Sequence, residues 1–115
     1  MPKHKKIWKS EDQILKKIDQ ARYFAQRKAK QSEEHKALAD ALALEAQVHE
    51  DMGRSVQAEH KRRKCGEELL KSELAAQLSQ RTLDKTLPRL GEILSAFRTD
   101  TMFEVMGNYK GVVVK

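Results

Sequence analysis

The stretch "AKQSEEHKALAD", Ala29 to Asp40, decides how many helices the first half of the chain contains. Ser32 followed by Glu33 and Glu34 has the form of a helix N-cap: the hydroxyl accepts a hydrogen bond from a free backbone N–H, and the acids complement the positive end of the helix dipole. Read this way, one helix ends near Gln31 and a second begins at Ser32. The second should stop near Gly53, which suits a left-handed C-terminal cap. Its centre, "ALADALALEAQV" (37–48), is apolar around most of its circumference and rich in alanine. That is the pattern of a middle helix with neighbours on both sides, where Ala39, Ala43 and Ala46 let backbones approach.

Working outward, Ser10 opens S-E-D-Q, a capping-box pattern in which Gln13 reaches back toward the cap. The helix behind it places Ile14, Ile18, Ala21, Phe24, Ala25 and Ala29 on one half of its wheel. On the other side of Gly53, a third helix is predicted from Ser55 into the low 80s, because Leu69, Leu70, Leu74 and Leu78 recur at helical spacing. Pro88 should end it, since proline lacks an N–H and keeps its predecessor out of the helical region. A short fourth helix, Pro88 to about Arg98, carries Leu90, Ile93, Leu94 and Phe97. In the tail, "TMFEVMGNYKGVVVK" (101–115), β-favouring residues flank Gly107-Asn108, which predicts a hairpin with strands near 101–106 and 109–114. A lone hairpin is marginal in water and needs something to dock on. The expected fold is therefore mainly α: a three-helix antiparallel bundle with a short fourth helix and a C-terminal β-hairpin. It forms a single domain, with a basic arm (1–9), the bundle (10–98) and the hairpin tail (101–115).

The 115 residues suffice for one domain that buries a core without cross-links. Cys65 is the single cysteine, so no internal disulfide forms, and no apolar run approaches the roughly 20 residues that cross a bilayer. A soluble, cytoplasmic protein is the expectation. The net charge of +6 favours acidic partners such as nucleic acid. Its distribution is uneven: residues 1–31 carry ten Lys and Arg against three acids, 32–53 one against six, and 54–81 seven against four. Were these three adjacent helices, an acidic one would lie between two basic ones and offset much of their charge.

Two groups of residues are candidates for contact with nucleic acid or an acidic partner. On the outer face of the first helix, Lys16, Tyr23 and Lys30 recur every seven residues, with Arg27 beside them and Lys9 just ahead on the same line. An aromatic among cations stacks on a base while the cations hold phosphates. The second group lies in "EHKRRKCGEE" (59–68), where Arg62, Arg63 and Lys64 fan around the helix. They are also placed to pair internally, as Glu59 with Arg63 and Lys64 with Glu68 at i,i+4 spacing.

The small residues Ala46, Gly53, Ala58 and Cys65 are spaced like the small positions of one tetratricopeptide-type helical hairpin. The stretch 39–72 resembles one such repeat, and is similar also to three-helix modules of the microtubule-interacting-and-trafficking (MIT) type. The resemblance implies close helix packing and binding of peptides or partner helices.

Chemistry is weakly signalled. The four histidines form no i,i+4 pair, no Glu-x-x-His occurs, and there is no phosphate loop or nucleophile elbow. Glu45 and His49 share a helix face, with Arg62 as a third member if the helices pair closely. Cys65 lies on a packing stripe. The reading that follows is a non-catalytic interaction module, an adaptor or assembly component holding a protein partner, with no cofactor and no metal. Nucleic-acid binding through the basic faces is the alternative.

Overall fold

The computed structural model describes residues 8–113, with side chains to Thr101. Its architecture is a long helical hairpin. Helix α1 runs Glu11–Asp51, α2 runs Ser55–Arg81, a five-residue π-helical turn occupies Thr82–Thr86, and α3 runs Leu87–Val113. The α2–π–α3 segment is helical without interruption, so the molecule is a rod with extents of 91 × 27 × 17 Å.

Local chemistry sets the start of α1 and the turn. The Ser10 hydroxyl accepts from the Gln13 N–H at 3.2 Å, and Gln13 Oε1 accepts from the Lys9 N–H at 2.9 Å, one residue earlier than in the usual capping box. At the other end of α1, Gly53 has φ +75°, its N–H donates to the Glu50 carbonyl, and the Arg54 N–H donates to the His49 carbonyl at 2.7 Å. This pair of bonds is a Schellman motif. It turns the chain within three residues, and α2 begins at Ser55.

Packing then follows a heptad. Apart from Gln13 and Gln31, the buried and half-buried positions of α1 advance in steps of four and three: 11, 14, 18, 21, 25, 28, 32, 35, 39, 42, 46 and 49. Those of α2 do likewise: 58, 61, 65, 68, 72, 75, 79 and 82. This is a coiled-coil seam in the antiparallel sense. Its register is marked by Ser79 Oγ donating to the Ala25 carbonyl (2.8 Å), Ser72 Oγ donating to the Ser32 carbonyl (2.8 Å), and His35 against Glu68 (2.6 Å). Most of the seam is small: Ala25, Ala39, Ala46, Ala58, Ala75, Ser72 and Ser79 are buried, and Ile14 is the one large side chain fully buried among the described residues.

The three-helix bundle is thus corrected to a two-helix hairpin. Ser32 is no cap, because it sits on the seam and its hydroxyl bonds across to Ser72 at 3.1 Å. With no Gly or Pro nearby, nothing stops the helix. Residues 32–51 are the second half of α1 and lie against α2 alone, so no acidic helix is sandwiched between two basic ones.

Pro88 does not break the chain either. After Thr82 the next seam position is Leu87, five residues on, followed by Leu90, Leu94 and Phe97 at heptad spacing. One residue too many stands between the two stripes, and the π turn absorbs it: the Leu87 N–H bonds to the Thr82 carbonyl, one residue further back than in an α-helix. The widened ladder also sits just where proline lacks a donor. The short fourth helix becomes part of α3.

The β-hairpin is overturned as well. Residues 101–113 are helical, and position 114 of the second expected strand lies outside the described residues, as do residues 1–7 of the basic arm. A two-stranded tail had no sheet to join, whereas extending an established helix costs no new nucleus.

Candidate functional site

Because the seam is built of small residues, the bulky apolar side chains stand elsewhere. Leu44 is 71% exposed and Val48 is 52% exposed, and Leu69, Leu70, Leu74 and Leu78 are also exposed. The leucines that marked the third helix therefore point away from the core that their spacing suggested. Ala58, Ser72, Ala75 and Ser79 face α1 instead.

On α1 the outward face changes character along its length. Opposite the seam, Ala37, Ala41, Leu44 and Val48 form a second stripe with heptad spacing, all exposed. Glu33 and Asp40 flank it on one side, Glu34 and Glu45 on the other, as their helical positions require. The stripe is apolar with an acidic rim. The apolar circumference read in this segment is real, but only one side of it packs on another helix and the other side is exposed.

Toward the N-terminus the same outward face is basic. Lys9, Lys16, Tyr23, Arg27 and Lys30 are all exposed, and Tyr23 is 66% exposed. Tyr23, Arg27 and Lys30 line a shallow depression together with Gln26, Gln31 and Glu34. Lys28 turns the other way and lies 5.6 Å from the Phe24 ring.

The second basic group is not part of that face. Arg62 pairs with Glu50 across the hairpin, Arg63 with Glu59 at 3.8 Å, and Lys64 lies near enough to Glu45 to favour its ionised form. In the antiparallel register Arg62–Lys64 lie level with residues near 42 of α1. That places them about 18 Å along the axis from Lys30, at 1.5 Å per residue. The structure groups Tyr23, Arg27 and Lys30 around one depression, strings Lys16 and then Lys9, just ahead of α1, along the same side toward the N-terminus, and keeps the three on α2 apart from them.

Cross-helix charge pairs concentrate near the turn. Lys61 Nζ stands 2.9 Å from Glu45, and the hydrogen bond from Lys61 holds the Glu45 carboxyl below the usual range. The hydrogen bond from His35 does the same for Glu68, with Lys71 adding to it. An ionised carboxylate only accepts, so His35 Nδ1 carries the proton in that contact. At the open end Arg98 pairs with Glu11.

The Glu45, His49, Arg62 trio does not assemble: Lys61 takes Glu45, Arg62 takes Glu50, and His49 Nδ1 is buried without a hydrogen-bond partner among the described residues. Cys65 is half-buried on the seam. Among the described residues no three His, Cys, Asp or Glu side chains converge as a metal site, and no helix is long and apolar enough to cross a membrane.

The exposed apolar stripe of α1 was missed in the sequence because its residues were assigned to the core. Its signal was present, as two interleaved heptads in one segment. Comparison with known proteins finds no matching family model, no matching curated protein and no matching solved structure.

Proposed function

We propose that this chain is a non-catalytic interaction module, an adaptor or assembly component, that takes a basic amphipathic helix of a protein partner onto α1. The supporting observation is the exposed stripe Ala37, Ala41, Leu44 and Val48 between two acidic margins. A helix placed there would bury the stripe as α2 buries the seam, and its cations would meet Glu33, Glu34 and Asp40. Helix-in-groove recognition of this kind reads apolar anchors at i, i+3, i+4 and i+7.

The test uses two synthetic helical peptides with the same leucine stripe, one flanked by lysines and one by glutamates. The lysine-flanked peptide should bind saturably, and Leu44→Glu with Val48→Glu should abolish it while helical content is kept. Preference for the glutamate-flanked peptide would refute the reading.

Nucleic-acid binding is a second reading, favoured by the exposed Tyr23 among Lys16, Arg27 and Lys30. It requires affinity for oligonucleotides that falls steeply with salt, through counterion release. Lys16→Glu with Arg27→Glu should remove that affinity and leave peptide binding intact. No binding to duplex or single strands at low salt eliminates it.

A further inference from the structure

We infer that a second copy of this chain docks on the outward ridge of α2 formed by Leu70, Leu74 and Leu78. These three are 58%, 52% and 42% exposed and follow one another at i, i+4 and i+8. The ridge is bounded by exposed Glu67 before Leu70 and exposed Arg81 after Leu78, and neither makes an ion pair with any described residue.

The occupant follows from this order of charges. A two-fold axis through Leu74 sets Leu74 against itself, Leu70 against Leu78 of the second copy, and Glu67 against Arg81 of the second copy, twice over. An isologous contact needs a patch that is its own complement, and this one is. Two copies laid parallel would instead face Glu67 with Glu67 and Arg81 with Arg81.

The stripe of α1 lacks that order of charges: acids flank it on both sides, so it is not its own complement. It is therefore the place for a different molecule, and the α2 ridge is the place for a second copy. Beyond the ridge Arg63 faces Lys85 of the second copy, about 16 Å from the axis at 1.5 Å per residue, and Arg63 is already paired with Glu59.

Sedimentation equilibrium of the full chain tests this. The mass should rise with concentration from 13.2 kDa to twice that value. Leu74→Glu, with helical content verified by circular dichroism, should hold it at the monomer. Glu67→Arg and Arg81→Glu should each weaken the dimer at least about tenfold, and the two together should restore it, because the swap re-forms the pairs. As an independent measurement, Leu74→Cys in a Cys65→Ser background should oxidise to a disulfide-linked dimer, while Leu44→Cys should not.

A monomer at every concentration, or a dimer indifferent to Leu74→Glu, overturns the proposal. So does a dimer that both single charge reversals weaken and the double reversal fails to rescue. The lysine-flanked peptide reports on the other face, so loss of either binding mode is distinguishable from loss of the other.

Discussion

The half of the hairpin next to the turn, residues 32–72, and the open half, residues 8–31 with 73–101, share a seam of small residues but part at the far end of the open half and in their charge. Near the turn the seam is Ala39, Leu42, Ala46 and Ala58, and the bulky side chains Leu44, Val48, Met52 and Val56 stand outside. At the open end Ile14 and Ile18 are buried toward α3, and the outward face carries Lys16, Arg27 and Lys30. Charge follows the same division. The turn half has seven Lys and Arg against nine acids, and the described open half has eleven against seven. The difference teaches that a close seam and a bulky exterior go together: small residues bring the backbones near, and the large apolar groups displaced from the seam become available to partners.

The largest expected effect separates the two kinds of apolar residue. Ile14→Ala should destabilise the hairpin by about 3 kcal/mol, because it removes a fully buried side chain and leaves a cavity. Leu44→Ala, although it deletes as many carbons as a core truncation would, should change stability by less than about 0.5 kcal/mol. Urea denaturation of both variants gives the ratio, and equal losses would break the contrast.

Next in size is overpacking near the turn. Ala46→Leu should cost about 2 kcal/mol, since no space exists between closely approached helices. A neutral result would show that this seam is loose.

The π turn offers a finer probe of the open half. Removing Lys85 in a Pro88→Ala background should give a continuous α-helix with Leu87, Leu90, Leu94 and Phe97 on the regular heptad. The melting temperature should rise by a few degrees. A fall would mean that the π turn is not a register correction.

The smallest effect concerns pH and belongs to the turn half. Glu45 and Glu68 are held below the usual carboxylate range when folded. The unfolded chain thus binds more protons than the folded one between the two values. The stability these groups contribute is complete above the unfolded value of about 4.3 and is lost as pH falls through the lower folded values. Melting temperature should be level from neutral pH down to about 5 and drop below about 4. Glu45→Gln with Glu68→Gln should shallow that drop.

What was legible in the sequence was local. The Ser10 cap, the Gly53 turn and the start at Ser55 each depend on a few adjacent residues, and each appears in the structure. Ser32 carried the same cap signal, yet its place on the seam gave its hydroxyl a partner forty residues away, at Ser72. Pro88 and the β-favouring tail misled for a related reason, because an uninterrupted helix with a register to keep outweighs residue preference. The basic face of α1 was legible as a seven-residue recurrence. The exposed apolar ridges were not, since periodicity identifies a stripe without saying which side of it is water.

By itself, then, the sequence determined the helical period of both arms, the point where the chain doubles back, and the alternation of charge that lets the arms attract. Only the tertiary structure decided that two arms rather than three pack, and which of α1's stripes faces inward. Near the turn both stripes are apolar at heptad spacing, so local energetics scarcely distinguish them. The choice falls to cross-helix contacts such as Ser32 with Ser72, His35 with Glu68 and Ala25 with Ser79, which exist only once distant residues meet in one register.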